Sequence, residues 1–273
     1  MRPSPRPKLG QHFLVDAAYR HRIVESLDLC ADDCVVEIGP GLGAMTALLA
    51  ERARQVVGIE LDVRLAGQLR EQFARHPKIE ILAADFLKTP LADLCQKYHT
   101  ARCYVFGNLP YYVTSPILHH ALTSFAVVRS MAVVIQREVA ARLVAAPGSR
   151  DYGYLSVFTQ AHAKPRRVLT VPPGAFRPVP QVHSSLVRFE MRPAEQIPSP
   201  QFFEFVKRCF SHKRKLLESN LAEYYPRARV QECLAALRLP PNVRAEEMPV
   251  DQLRFLFERL FQPSDIQEGN RKA

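Results

Sequence analysis

The chain has 273 residues, 47% of them hydrophobic and 23% charged. That is enough to bury a core in one large domain or two smaller ones, and it excludes a disordered chain, a collagen-like fibre and a coiled coil. No run approaches the roughly 18 apolar residues of a membrane span, while a formal net charge of +10 favours a polyanionic partner, either nucleic acid or an anionic membrane surface.

The first 22 residues carry Arg2, Arg6, Lys8, Arg20 and Arg22 against Asp16 alone, and read as a basic arm leading into a helix. The segment Met1–Lys8 has charge and proline but no apolar stretch behind it, so it is not expected to be a secretory signal. Asp16 is placed to cap a helix over 17–27. The apolar run 34–38 ends in glycines, 44–53 is helix-like, and 55–59 is β-branched: one βαβ unit. The alternation continues with helix 63–75, strand 79–82, helix 91–98, strand 103–106, helix 115–125 and strand 130–135. It implies an α/β fold with a mostly parallel sheet and helices on both faces, whose ligands bind at the carboxyl ends of the strands. From Met191 the texture changes. A proline-rich connector over 192–200 leads into helices at 201–221, 227–237 and 250–261 with no strand between them. The expected division is therefore 1–191 for the α/β domain and 192–273 for a small all-α domain. The six cysteines form no Cys-x-x-Cys pair and have no zinc-finger spacing, so free thiols in a reducing compartment are expected, with no metal.

Three places carry chemistry. Gly39, Gly41 and Gly43 sit where the first strand meets its helix and let the backbone turn sharply and approach a ligand, although a tight turn that binds nothing has the same look. Glu60, 21 residues past Gly39, ends the second strand, where an ionised carboxylate can accept both hydroxyls of a ribose. That suits NAD or S-adenosylmethionine. Pro40 removes an N–H that a pyrophosphate would use, which favours the latter. Asp85 ends the third strand as an acceptor for an adenine amine or as a helix cap, and Glu37 would suit a cationic ligand. The fourth strand ends in Asn108-Leu109-Pro110-Tyr111, a turn by composition alone and a site in combination with the rest.

With Lys8–Leu14, Glu37–Gly43, Ile59–Asp62, Asp85-Phe86, Asn108–Tyr111, Gln136–Val139, Tyr152–Ser156, Val171–Val182 and Phe210–Leu221 in this order, the sequence resembles the ribosomal RNA adenine N6-dimethyltransferases, and within them the small-subunit (16S-type) branch. The resemblance spans most of the chain. It implies a Rossmann-like S-adenosylmethionine-dependent methyltransferase sheet with a helical rRNA-binding domain. It implies dimethylation of two adjacent adenines in a hairpin near the 3′ end of small-subunit rRNA. The partner would be a small-subunit precursor in the cytoplasm, met by a monomer without a metal or a membrane. The donor pocket would be lined by His12, Leu14, Gly39, Gly41, Glu60, Asp85 and Asn108. Asn108 Oδ1 and the Leu109 carbonyl would accept the N6 hydrogens, Pro110 would stiffen the loop, and Tyr111 and Phe176 would cover the two faces of the adenine. Arg6, Lys8, Lys207, Arg208, Lys213, Arg214 and Lys215 would hold phosphates, the C-terminal cluster being otherwise a solvated helix face. Three alternatives stay open: a large-subunit enzyme of the antibiotic-resistance type, an assembly factor acting mainly by binding, and a nicotinamide oxidoreductase.

Overall fold

A computed structural model describes residues 12–212 and 215–261. These divide into two compact units. The first holds everything described up to Ala141 together with His162–Ala194, and the second holds Arg142–Ala161 and everything described from Glu195.

In chain order the elements are β1 (Phe13–Leu14), α1 (Ala17–Glu25), β2 (Cys34–Ile38), α2 (Ala44–Arg52), β3 (Gln55–Glu60), α3 (Val63–Gln72), β4 (Ile79–Ala83), α4 (Leu91–Lys97), β5 (Cys103–Asn108), α5 (Thr114–Thr123) and β6 (Val128–Gln136). There follow α6 (Arg137–Val144), α7 (Tyr154–His162), β7 (Ala163–Val171), β8 (Phe176–Arg177), β9 (Ser184–Met191), α8 (Pro200–Cys209), α9 (Leu217–Leu221), α10 (Arg227–Ala236) and α11 (Val250–Leu260).

The first unit is built on a seven-stranded sheet of order β4-β3-β2-β5-β6-β9-β7. Its first five strands are parallel. Every residue of β2 is buried, which is why Cys34–Ile38 reads as an unbroken apolar run rather than an alternating one. The chain winds from β2 outward through β3 and β4, then returns to place β5 on the other side of β2. The switch point of the sheet thus lies between the carboxyl ends of β2 and β5, with Ile38 in register with Gly107. Ile23, Leu27, Leu49, Val56, Phe106 and Val134 belong to one buried cluster on the α1 and α2 side of the sheet.

Beyond β6 the sheet is antiparallel. β9 pairs with β6 and β7 with β9, two strands that the sequence reading did not foresee. β7 is an edge strand with Pro165 inside it, mostly exposed charges and a register shift between Arg167 and Leu169, features that weaken a strand signal and protect a sheet edge. β1 forms a separate ribbon with β8, pairing Leu14 with Phe176. Asp16 caps α1 by accepting from the Tyr19 N–H.

In the second unit, α7 packs on α8 through an edge-to-face contact of Phe158 with Phe203 at 5.1 Å. Phe202 and Phe205 both contact Phe257 of α11. The segment 142–161, expected in the first domain, is anchored here: the buried Tyr152 hydroxyl donates to the Met248 carbonyl. The single helix expected over 201–221 is two helices. The Asn220 amide donates to the Cys209 and His212 carbonyls, which stabilises the interruption with a contact that spacing along the chain does not reveal. All six cysteines are free, and only Cys30 is exposed. Among the described residues no helix is long and apolar enough to cross a membrane, and no group of three His, Cys, Asp or Glu is placed to hold a metal ion.

Candidate active site

The turn after β2 is held from both sides. The Gly39 N–H donates to the Ile59 carbonyl of β3, and the Gly43 N–H closes the turn on the Pro40 carbonyl. Gly39 has φ +62°, and a side chain there would meet nothing within 4 Å, so the space in front of it is open. Gly41 also has positive φ, and a Cβ on it would strike the Phe13 ring at 2.8 Å. Glu60, at the end of β3, is only 2% exposed. Its Oε2 accepts the Gly41 N–H and its Oε1 the Asp62 N–H, both at 3.0 Å. The carboxylate therefore fastens the glycine turn to β3. Asp85 accepts the Leu87 N–H at 3.0 Å on one oxygen and so caps the short turn after β4.

Two compartments open at the switch point. The larger, about 320 Å³, runs between β1, α1 and the glycine turn. Its walls include Phe13, Leu14, Pro40 and Met45, and the charged groups facing it are Glu37 and Arg20. The smaller, about 40 Å³, is lined by His12, Gly41, Leu109, Pro110, Tyr111 and Phe176. Phe13, Gly39 and Asn108 line both. Glu60 and Asp85 line neither.

Glu37 is buried, and its Oε2 accepts from Thr46 Oγ1 at 2.6 Å. Burial raises its carboxyl from the ordinary 4.5 to about 7; the Thr46 hydrogen bond opposes the rise and the nearby Glu60 adds to it. A raised folded-state value means that Glu37 contributes stability fully below pH 4.5 and loses it as pH rises through about 7. Glu37→Gln, which keeps the Thr46 contact, is expected to gain on the wild type between pH 5 and pH 8. At ~1.4 kcal/mol per pKa unit the swing is a few kcal/mol. Urea unfolding at both pH values, without ligand, checks it; a constant difference between the two proteins would contradict it.

Asn108 ends β5, and its Nδ2 donates to the His12 carbonyl at 2.9 Å. Its amide nitrogen is thereby committed, and Oδ1 is the atom left to accept. Leu109 is buried and donates its N–H to the Val134 carbonyl, which fixes the start of the tetrapeptide against β6. Pro110 then caps a single 3₁₀ turn over Tyr111–Val113. The Tyr111 hydroxyl bonds Ser184 Oγ at 3.0 Å. The His12 ring lies 5.4 Å from the Tyr111 ring, tilted by 35°, and its Nδ1–H donates to the Pro178 carbonyl. Phe176 is 1% exposed and pairs with Leu14. The smaller compartment has room for a few waters.

A model of the family described as ribosomal RNA adenine dimethylase matches residues 3–262. The chain belongs to this family. Ribosomal RNA small subunit methyltransferase A of Acidobacterium capsulatum is 44% identical over 260 residues, 93% of this chain and 91% of that one. The protein of the same name from Koribacter versatilis is 39% identical over 273 residues, 95% of each. Among solved structures, the 23S rRNA methyltransferase ErmE is 32% identical with a TM-score of 0.71, covering 92% of this chain and all of that one. A dimethyladenosine transferase from Plasmodium falciparum shares the fold, with a TM-score of 0.78 at 20% identity over 90% of this chain and 96% of its own.

In this member of the dimethylase family the expected site residues sort into groups. His12, Leu14, Gly39, Gly41, Asn108, Leu109, Pro110, Tyr111 and Phe176 line the compartments; Glu60 fastens the glycine turn and Asp85 caps the turn after β4. Arg6, Lys8, Lys213 and Arg214 lie outside the described residues. Lys207 and Arg208 lie in the last turn of α8: Lys207 pairs with Glu204 at 2.7 Å, Arg208 lies 4.4 Å from the Tyr224 ring centre, and Lys215 is exposed. Three contributors are not evident from the sequence: Phe13 lies in the Lys8–Leu14 motif with nothing to mark its role, Ser184 carries no signal, and Arg20 resembles the rest of the basic arm although it lines the larger compartment.

Proposed function

We propose that the chain transfers methyl groups from S-adenosylmethionine to N6 of two adjacent adenines in a hairpin near the 3′ end of small-subunit rRNA, acting as a cytoplasmic monomer on a small-subunit precursor. The observation that carries this is Asn108, which stands where the two compartments meet with its nitrogen tied to His12 and its Oδ1 left as an acceptor. The small-subunit branch is supported by the names of the relatives from Acidobacterium capsulatum and Koribacter versatilis.

The residues present fit the donor. The space before Gly39 admits close approach, and the larger compartment offers apolar walls, the Glu37 carboxyl and the Arg20 guanidinium to a ligand that is apolar in its middle and zwitterionic at one end. When bound, it supplies an electrophilic methyl on a sulfonium. Glu60 and Asp85 would take the ribose hydroxyls and the adenine amine through the lone pairs their backbone contacts leave unused. Adenine N6 is a weak nucleophile because its lone pair is delocalised into the ring. Asn108 Oδ1 and the Leu109 carbonyl would each accept one N6 hydrogen and draw the nitrogen toward a tetrahedral shape. N6 then gains the methyl and releases a proton to solvent, so no general base is required before attack. Tyr111 and Phe176 would hold the extruded base by stacking.

The test is to incubate the chain and donor with undermethylated small subunits and, separately, with large subunits, and to map products by mass spectrometry of rRNA fragments. Two adjacent dimethyladenines in small-subunit rRNA are expected. Modification of large-subunit rRNA alone would select the activity for which ErmE, a 23S rRNA methyltransferase, is named, and binding without modification would select an assembly factor.

The C-terminal cluster has its own expected result. Neutralising Lys213, Arg214 and Lys215 together should weaken particle binding while donor binding stays intact. Each lost phosphate contact should reduce the slope of log affinity against log salt by ~0.7–0.9. Filter binding at several salt concentrations reads that slope, and an unchanged slope would leave the cluster as solvated charge with no part in particle binding.

A further inference from the structure

Arg20 stands in the first half of α1 and helps wall the larger compartment. Its Nη2 donates to the Val15 carbonyl at 3.1 Å, across the turn between β1 and α1. Its Nε is buried and has no hydrogen-bond partner. A buried N–H without an acceptor is a costly arrangement, and a ligand acceptor would relieve it. The acceptor best matched to a guanidinium fork is a carboxylate, which can take two parallel N–H groups.

The second charge of the compartment is Glu37. Arg20 forms no ion pair with it, and the groups that shift Glu37 are Thr46 and Glu60, not Arg20. An acidic and a basic residue therefore line the compartment as separate anchors, with Phe13, Leu14 and Met45 among the apolar groups around them. Such a pair is complementary to a small zwitterion at the end of an apolar ligand.

We propose that Arg20 binds the α-carboxylate at the amino-acid end of the methyl donor while Glu37 faces its ammonium, an assignment that rests on the donor reading given above. Arg20 then selects for the intact amino-acid end and does not touch the reacting atoms. It lies outside the glycine turn and the Asn108 tetrapeptide, on a helix whose other basic residues belong to the solvent side.

The test is isothermal titration of the full chain with two ligands that cannot transfer a methyl. One is S-adenosylhomocysteine. The other is S-adenosyl-3-thiopropylamine, which keeps the amine and lacks the carboxylate. The wild type should prefer the first. Arg20→Met, which preserves most of the stem, should weaken S-adenosylhomocysteine by about 10–100-fold, the worth of one charged hydrogen-bonding pair, and change the decarboxylated ligand by no more than about twofold. Arg20→Lys should recover part of the loss. Equal weakening of both ligands would show that Arg20 only braces the β1–α1 turn, and unchanged S-adenosylhomocysteine affinity would show that the guanidinium does not reach the carboxylate; either overturns the proposal while leaving the donor reading standing. A wild type that binds neither ligand would overturn the donor reading itself.

Discussion

Asn108→Ala is expected to lower methyl transfer by about 100–1,000-fold at saturating donor, the usual loss for one positioned polar group at a reacting centre. The substitution removes Oδ1, the acceptor that would pull N6 out of conjugation, and also removes the donor to the His12 carbonyl. The second loss loosens the β1 segment, which lines both compartments through Phe13. Donor affinity must therefore be measured in parallel and rates compared at saturation. Phe176→Leu should cost less, because it keeps apolar contact and gives up stacking worth ~1–3 kcal/mol. Single-turnover assays on undermethylated small subunits give the rates, and particle binding confirms that the variant is folded. Near wild-type dimethylation by Asn108→Ala would reduce the tetrapeptide to a structural turn.

The parallel half of the sheet was legible because its strands are buried on both faces. Val35, Val36, Val56 and Val57 have no exposed surface, so the sequence shows compact β-branched runs that nothing else explains. The positions of Gly39, Glu60, Asp85 and Asn108 followed from the same alternation, since each closes a strand or opens the turn after it. The antiparallel half was not legible in that way. β7 carries Lys164, Arg166 and Arg167 around Pro165, and its pairing with β9 is a non-local contact that no spacing rule encodes. Side-chain direction was equally hidden. Arg20 and Arg22 look alike in an arm of basic residues, yet Arg20 faces a cavity while Arg22 lies over the Tyr19 ring. The link from Glu60 to the Gly41 N–H spans 19 residues and exists only once β2 and β3 are paired.

That link changes what Glu60→Ala should do. From the sequence, Glu60 is only a ribose acceptor, and losing a charged hydrogen bond costs ~1.5–3 kcal/mol of donor affinity. In the fold it also satisfies two backbone donors, the Gly41 and Asp62 N–H groups, from a position nearly closed to water. Removing it leaves both without their acceptor, at ~1–3 kcal/mol for each that stays buried. Two losses are thus expected from one change: a lower unfolding midpoint without ligand, and a weakening of S-adenosylhomocysteine of more than ~10-fold that exceeds the simple ribose contribution. Glu60→Gln separates them. Its carbonyl oxygen can still accept one of the two N–H groups, but its amide places a donor against the other, so part of the tether survives while the anionic acceptor is gone. If the carboxylate binds the ribose, the wild type should discriminate against the 2′-deoxy ligand, and Glu60→Gln should lose most of that discrimination even where its midpoint is close to wild type. Titration with S-adenosylhomocysteine and its 2′-deoxy analogue, beside urea unfolding of the ligand-free proteins, reads both effects. An unchanged dissociation constant in Glu60→Ala, or discrimination fully retained in Glu60→Gln, would leave Glu60 as a tether of the glycine turn and nothing more.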